Sequence, residues 1–158
     1  MQLRIGYGID VHRLAPERPL IIGGIKIESD LGAVGHSDAD VLLHAICDAL
    51  LGAANLRDIG YHFSDRDPKY KGVDSKLLLT EVVGLIQEKN YHVVNIDCTV
   101  VLERPKLNPH ILKMQSVIAS ILQVEIDQVS IKATTHEMVD SFGNSKAIKA
   151  YCACLLNR

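Results

Sequence analysis

Asp10 and His12 stand two apart in a run where apolar and polar residues alternate. Both side chains therefore leave a strand on the same side, roughly 6.6 Å apart. His44 has a different setting, the stretch 35–51, which opens as the polar loop Gly-His-Ser-Asp-Ala-Asp and then turns apolar at helical spacing. Two imidazoles and one carboxylate make three ligands for a metal ion and leave a fourth tetrahedral position open, as in catalytic zinc sites. The same donors form the facial triad of iron(II) enzymes. Spacing alone does not choose between these, nor against a strand-end aspartate accepting turn hydrogen bonds beside a histidine satisfied in the core.

A second group of residues lies far away in the chain. Arg104-Pro105-Lys106 follows a strand-like run, and Lys132-Ala-Thr-Thr-His-Glu137 ends another. Lysine ammonium, threonine hydroxyls and strand-end amides suit phosphate oxygens, and the Glu137 carboxylate suits a hard divalent cation. A surface lysine and a threonine-rich strand would look the same. Asp58, Asp65 and Asp67 offer themselves to sugar hydroxyls, although turn capping is the commoner use of aspartate in such segments.

These groups need elements to position them. Residues 3–12 predict a strand with Leu3, Ile5, Tyr7, Ile9 and Val11 on one side and Arg4, Gly6, Gly8, Asp10 and His12 on the other. Gly6 and Gly8 strip side chains from the polar side, which lets another backbone come close. Residues 20–22 and 25–27 flank Gly23-Gly24, a hairpin signal. In the next helix Asp40, His44 and Asp48 step by four, so they predict one polar stripe, with Asp48 a candidate partner for His44. The stretch 55–72 has no usable period, and a connection of that length is more often functional than idle. Asp74 or Ser75 caps a helix fading near Asn90, and 93–102 is a strand. Asn108-Pro109 reads as cap and first residue of a helix reaching about Leu122, and 129–135 and 147–156 are two more strands.

The order predicts an α+β fold over a single domain, 1–158, with a mixed four-stranded sheet covered by helices on one face plus a small hairpin. The last strand is apolar on both sides, so an oligomer is expected. Composition is that of an ordinary globular chain, with 47% hydrophobic and 23% charged residues and a net charge of −2. With no arginine-rich run, nucleic acid is a poor partner. Cys47, Cys98, Cys152 and Cys154 form no C-x-x-C pair and sit among apolar neighbours, which predicts buried reduced thiols. No apolar run approaches a membrane span, and Met1-Gln-Leu-Arg leads straight into the first strand. The expected location is the cytoplasm, or the plastid stroma if a transit peptide has been removed.

Several motifs occur in a fixed order: Gly8-Ile-Asp10-Val-His12, Ile22-Gly-Gly24, His36-Ser-Asp-Ala-Asp40, Asp48-Ala-Leu-Leu-Gly-Ala53, Asp58-Ile-Gly60, Phe63-Ser-Asp65, Arg104-Pro-Lys106, Lys132-Ala-Thr-Thr135 and Glu137. From residue 3 to the last strand the chain thereby resembles the 2-C-methyl-D-erythritol 2,4-cyclodiphosphate synthase family. The resemblance implies a substrate, 4-diphosphocytidyl-2-C-methyl-D-erythritol 2-phosphate, whose 2-phosphate attacks the β-phosphorus and expels CMP. It implies zinc on Asp10, His12 and His44, and magnesium or manganese on Glu137. His36 and Thr135 are implied transition-state stabilisers. Implied substrate contacts are Asp10, His12, His36 and Ser37, with Asp58, Ile59, Gly60, Phe63, Ser64, Asp65, Arg66 and Asp67 around the methylerythritol. On the cytidine diphosphate side they are Leu102, Pro105, Lys106, Leu107, Asn108, Thr134, Thr135 and Glu137. A homotrimer with active sites between neighbouring subunits is also implied.

Two departures stand out. Residues 142–147 read Phe-Gly-Asn-Ser-Lys-Ala where the family carries a Gly-Arg-Gly-Glu-Gly-like segment, and Ser64 stands where proline is common. The competing readings are another metalloenzyme on the same ligands, such as an iron(II) oxygenase or a phosphohydrolase, and a trimeric binding module that keeps the fold. No cosubstrate-type arginine accompanies the triad, which weighs against an oxygenase. The intact Asp10, His12, His44, Lys106 and Glu137 weigh against a bare binding module.

Overall fold

A computed structural model of the protein describes residues 2–158. Strand β1 (Leu3–Pro16) is its spine. It pairs antiparallel with β7 (Ala147–Asn157) from Leu3↔Asn157 to Arg13↔Ala147, and its far end pairs antiparallel with the edge strand β4 (Leu31–Val34). Beyond β7 come β5 (His92–Val101), antiparallel to it, and β6 (Val129–Thr134), parallel to β5. The hairpin β2 (Leu20–Ile22) and β3 (Ile25–Ile27) stands apart, turning at Gly23 and Gly24, both with positive φ.

The mixed sheet therefore has five strands, in the order β4-β1-β7-β5-β6, and not the four expected. The extra one, Leu-Gly-Ala-Val, is too short and too glycine-bearing to show a period of two. It exists because β1 runs on to Pro16 and offers Arg13–Pro16 as a pairing edge.

Helices α1 (Val41–Ala53), α3 (Ser75–Glu88) and α4 (Ile111–Leu122) cover one face, and short α2 (Ile59–His62) and α5 (Asp140–Gly143) lie in connections. On the covered side Ile148, Ala150 and Cys152 of β7 share the core with Leu42, Leu43, Ile46 and Leu50 of α1. The predicted reduced thiols are all free and buried. On the open side Leu3, Ile5, Tyr7, Ile9 and Val11 are 48–80% exposed, a bare apolar stripe along β1. The expected Asn108 cap gives way to a 3₁₀ turn, Asn108–His110, whose side chains cap nothing, and α4 proper begins at Ile111.

Two contacts fix α1 on β1. A Cβ added at Gly8 would lie 2.0 Å from the Ala45 carbonyl oxygen, and one at Gly6 would lie 1.8 Å from that of Ala49. The helix backbone thus rests directly on the glycine side of the strand. His44, next to Ala45, is carried over Asp10, two residues beyond Gly8.

Asp40 leaves the predicted stripe. It is the fully buried N-cap of α1, its Oδ1 accepting from Gly23, Leu42 and Leu43 N–H and its Oδ2 from Gly24 N–H at 2.6 Å. One carboxylate thereby joins the hairpin turn to the helix start. Burial is the largest influence and raises its pKa to about 6, against the pull of those amides. A raised folded pKa means the native state holds this proton more tightly than the unfolded chain. The resulting stability is complete below about pH 4 and is lost as pH rises through about 6, by up to roughly 3 kcal/mol. Urea unfolding between pH 4 and 7 is expected to show that slope in the wild type and lose it in Asp40→Asn.

Candidate metal centre and active site

Three donor atoms converge where β1 meets α1. Asp10 Oδ2 lies 2.9 Å from His12 Nε2 and 3.0 Å from His44 Nδ1, and the two nitrogens are 3.2 Å apart. A tetrahedral zinc ion with bonds of about 2.0–2.1 Å asks for ligand atoms roughly 3.3 Å apart, so this triangle matches one face of such a tetrahedron within a few tenths of an ångström. No other group of three metal-ligating side chains converges among the described residues. Burial works to raise the Asp10 pKa, but hydrogen bonds and positive charge from His12 and His44 hold it at about 2. For His44, burial opposes the charge, and the hydrogen bond and charge of Asp10 outweigh it, so its pKa is raised. Both shifts follow from placing a carboxylate and two imidazoles within hydrogen-bond reach of one another.

The far nitrogens are also engaged. His12 Nδ1 lies 3.1 Å from the Val34 carbonyl, to which it donates, which leaves Nε2 as the nitrogen that would meet a metal. His44 Nε2 lies 3.1 Å from Ser37 Oγ and 2.9 Å from Ser75 Oγ. Asp48, expected beside His44, instead accepts from Ile59 N–H at 2.8 Å. It anchors α2, because the helix carries its carboxylate outward over the chain that follows. Ser75 hid from a reading of the sequence as a helix-cap residue, and its role shows only when α3 packs against α1.

A cavity of about 390 Å³ opens beside the triangle, lined by His12, His36, Ser37, His44, Ile59, Gly60, Phe63, Asp65, Tyr70 and Leu78. Tyr70 and Leu78 had no signal beyond apolarity. Asp58 caps α2 through Tyr61 N–H, and Asp67 caps a 3₁₀ turn through Lys69 N–H. The Asp67 carbonyl lies 3.3 Å from His36 Nε2, tying the 63–67 loop to the loop before α1. Ser64 Oγ accepts from Arg66 N–H, and Arg66 is exposed.

A second cavity of about 390 Å³ lies at the β5–β6 end of the sheet, lined by Leu102, Lys106, Leu107, Asn108, Ile111, Ile131, Lys132, Ala133, Thr134 and Thr135. Glu137 is exposed just beyond, its Oε1 accepting from Thr135 Oγ1 at 3.2 Å. Pro105 lines a different cleft with Glu103 and Arg104. Lys132, for which a phosphate contact and a plain surface lysine were both open, pairs with Asp97 on the neighbouring strand. Within one chain the two cavities share no lining residue.

Comparisons with known proteins cover nearly the whole chain. The model of the YgbB family matches residues 3–157. A protein of Parabacteroides distasonis named 2-C-methyl-D-erythritol 2,4-cyclodiphosphate synthase is 55% identical over all of this chain and 98% of its own length. One of the same name from Porphyromonas gingivalis is 56% identical over 97% of this chain and 94% of its own. A solved structure of 2C-methyl-D-erythritol-2,4-cyclodiphosphate synthase in a CDP-bound form superposes with a TM-score of 0.90 at 35% identity, covering 98% of this chain and 100% of that one.

Proposed function

This chain belongs to the YgbB family, and from that premise we propose that it is a 2-C-methyl-D-erythritol 2,4-cyclodiphosphate synthase, a single domain over 1–158. It converts 4-diphosphocytidyl-2-C-methyl-D-erythritol 2-phosphate to the cyclic diphosphate and CMP, a step of the non-mevalonate isoprenoid pathway. The observation that carries this reading is the convergence of Asp10, His12 and His44 beside a polar cavity, in a chain 55% identical to a named synthase.

The substrate brings both nucleophile and leaving group, so the protein's task is to position them and to offset charge. Asp10, His12 and His44 would hold zinc, and Glu137 would hold magnesium or manganese. When bound, these cations draw negative charge from the phosphate oxygens and ease the approach of one phosphate to another. His36 and Ser37 face the reacting phosphates from the metal side, with Asp58, Ile59, Gly60 and 63–67 around the methylerythritol. Lys106 and Thr135 meet the nucleotide diphosphate, and Leu102, Pro105, Leu107, Asn108 and Thr134 surround the cytidine.

One chain holds the metal cavity and the nucleotide cavity apart, and we assign their union to a homotrimer. The open stripe of Leu3, Ile5, Tyr7, Ile9 and Val11 supports this, because it supplies apolar area for subunits to close on. No described helix is long and apolar enough to cross a membrane, and the cytoplasm is the proposed compartment. Light scattering is expected to give three times the 17.4 kDa chain mass. CMP release is expected from wild type with zinc and magnesium. In Lys106→Ala, kcat/KM should fall about tenfold or more with zinc content unchanged. No CMP release by the wild type would end the proposal.

A further inference from the structure

Ser75 and Asp38 hold a proposed metal ligand from behind. Ser75 is fully buried in the first turn of α3, and its Oγ lies 2.9 Å from His44 Nε2. Its hydroxyl donates to Asp38 Oδ1, and its backbone N–H donates to Asp38 Oδ2 at 3.0 Å. A serine hydroxyl carries one proton. With that proton directed to the carboxylate, Oγ presents a lone pair to His44. Nε2 must then be protonated, which leaves Nδ1, 3.0 Å from Asp10 Oδ2, as the nitrogen that would meet a metal. Ser37 Oγ is the other neighbour of Nε2, but it also accepts from Ala39 N–H at 3.2 Å and lines the cavity. The surrounding backbone is braced: Asp38 N–H donates to Val73 O at 3.0 Å and Gly72 N–H to His36 O at 2.7 Å.

We propose that Asp38 and Ser75 are positioning residues of the metal centre, fixing the tautomer and ring plane of His44 so that the Ser37 hydroxyl is free to turn to substrate. Ser75 keeps its hold on Nε2–H when Ser37 lets go. The inference rests on the proposed zinc site and names groups beyond its ligands.

Zinc affinity of the full-length protein, measured by competition with a chromophoric chelator, tests it in wild type, Ser75→Ala, Asp38→Asn and Ser37→Ala. Circular dichroism confirms that each is folded. Ser75→Ala and Asp38→Asn are expected to bind zinc about 10- to 100-fold more weakly, and Ser37→Ala less than threefold more weakly. A purely structural pair would lower the melting temperature and leave the affinity of the folded protein alone. A loss under tenfold in Ser75→Ala overturns the inference, as does a larger loss in Ser37→Ala. Should Ser75→Ala not fold, Asp38→Asn decides by the same threshold. Failure of the wild type to bind zinc overturns the metal reading itself. Intact wild-type binding with unchanged variants overturns this inference alone.

Discussion

His12→Ala is expected to lower turnover by a factor of about 10³ or more, equivalent to roughly 4 kcal/mol of transition-state stabilisation. Its Nε2 is one corner of the donor triangle, 2.9 Å from Asp10 Oδ2 and 3.2 Å from His44 Nδ1. Two ligands do not hold zinc at a catalytic site, where three protein donors are the rule. The Lewis-acid contribution of a bound metal to a phosphoryl transfer is itself several kcal/mol. The fold should survive, because the His12 side chain contributes to no apolar core and the backbone group it meets is the Val34 carbonyl. The variant should therefore show a normal circular dichroism spectrum, zinc content far below one ion per chain, and almost no CMP release. Activity within tenfold of wild type would take His12 out of the metal site.

Gly8→Ala is expected to prevent stable folding or to cost more than about 4 kcal/mol. A methyl group there would meet the Ala45 carbonyl oxygen at 2.0 Å and the Ala49 nitrogen at 2.7 Å, both backbone atoms with no rotamer to yield. Relief requires α1 to lift from β1 along its length, opening the core where Leu42, Ile46 and Leu50 are fully buried. Lifting α1 also carries His44 away from Asp10 and His12, so any folded remnant should bind zinc weakly. Thermal unfolding checks it: a melting temperature within a few degrees of wild type would show that helix and strand do not touch as described. The same substitution at Gly52, a helical glycine with open space around its Cβ position, should be tolerated.

Much of the site was legible because its chemistry coincides with a regular pattern. The alternation of β1 put Asp10 and His12 on one side, and the bare Gly6 and Gly8 announced a close neighbour, which is α1. What failed were inferences about partners. The spacing of Asp40, His44 and Asp48 put three polar groups on one stripe, yet Asp40 turns back to cap its own helix and grip Gly23 and Gly24, while Asp48 reaches Ile59. Helical spacing says which residues share a face and nothing about what packs there. Ser75 illustrates the converse: at a helix start a serine satisfies local rules, so its contact with His44, 31 positions away, leaves no local trace. Strand β4 stayed hidden because four residues are too few to alternate, and only a partner makes them a strand. The ion pair of Lys132 with Asp97 was likewise invisible, because only the parallel pairing of β5 with β6 sets Asp97 within its reach.

Cyclisation of a diphosphate at a centre built from Asp10, His12 and His44 has a spectroscopic signature of its own. Phosphorus NMR of the purified protein with substrate, zinc and magnesium tests it most directly, because it separates cyclisation from hydrolysis. The expected result is loss of the substrate resonances, growth of two coupled cyclic-diphosphate signals and an equal amount of CMP, all abolished by chelation and in His12→Ala. Unchanged substrate with both metals present, or release of linear phosphate in place of the cyclic product, would contradict it.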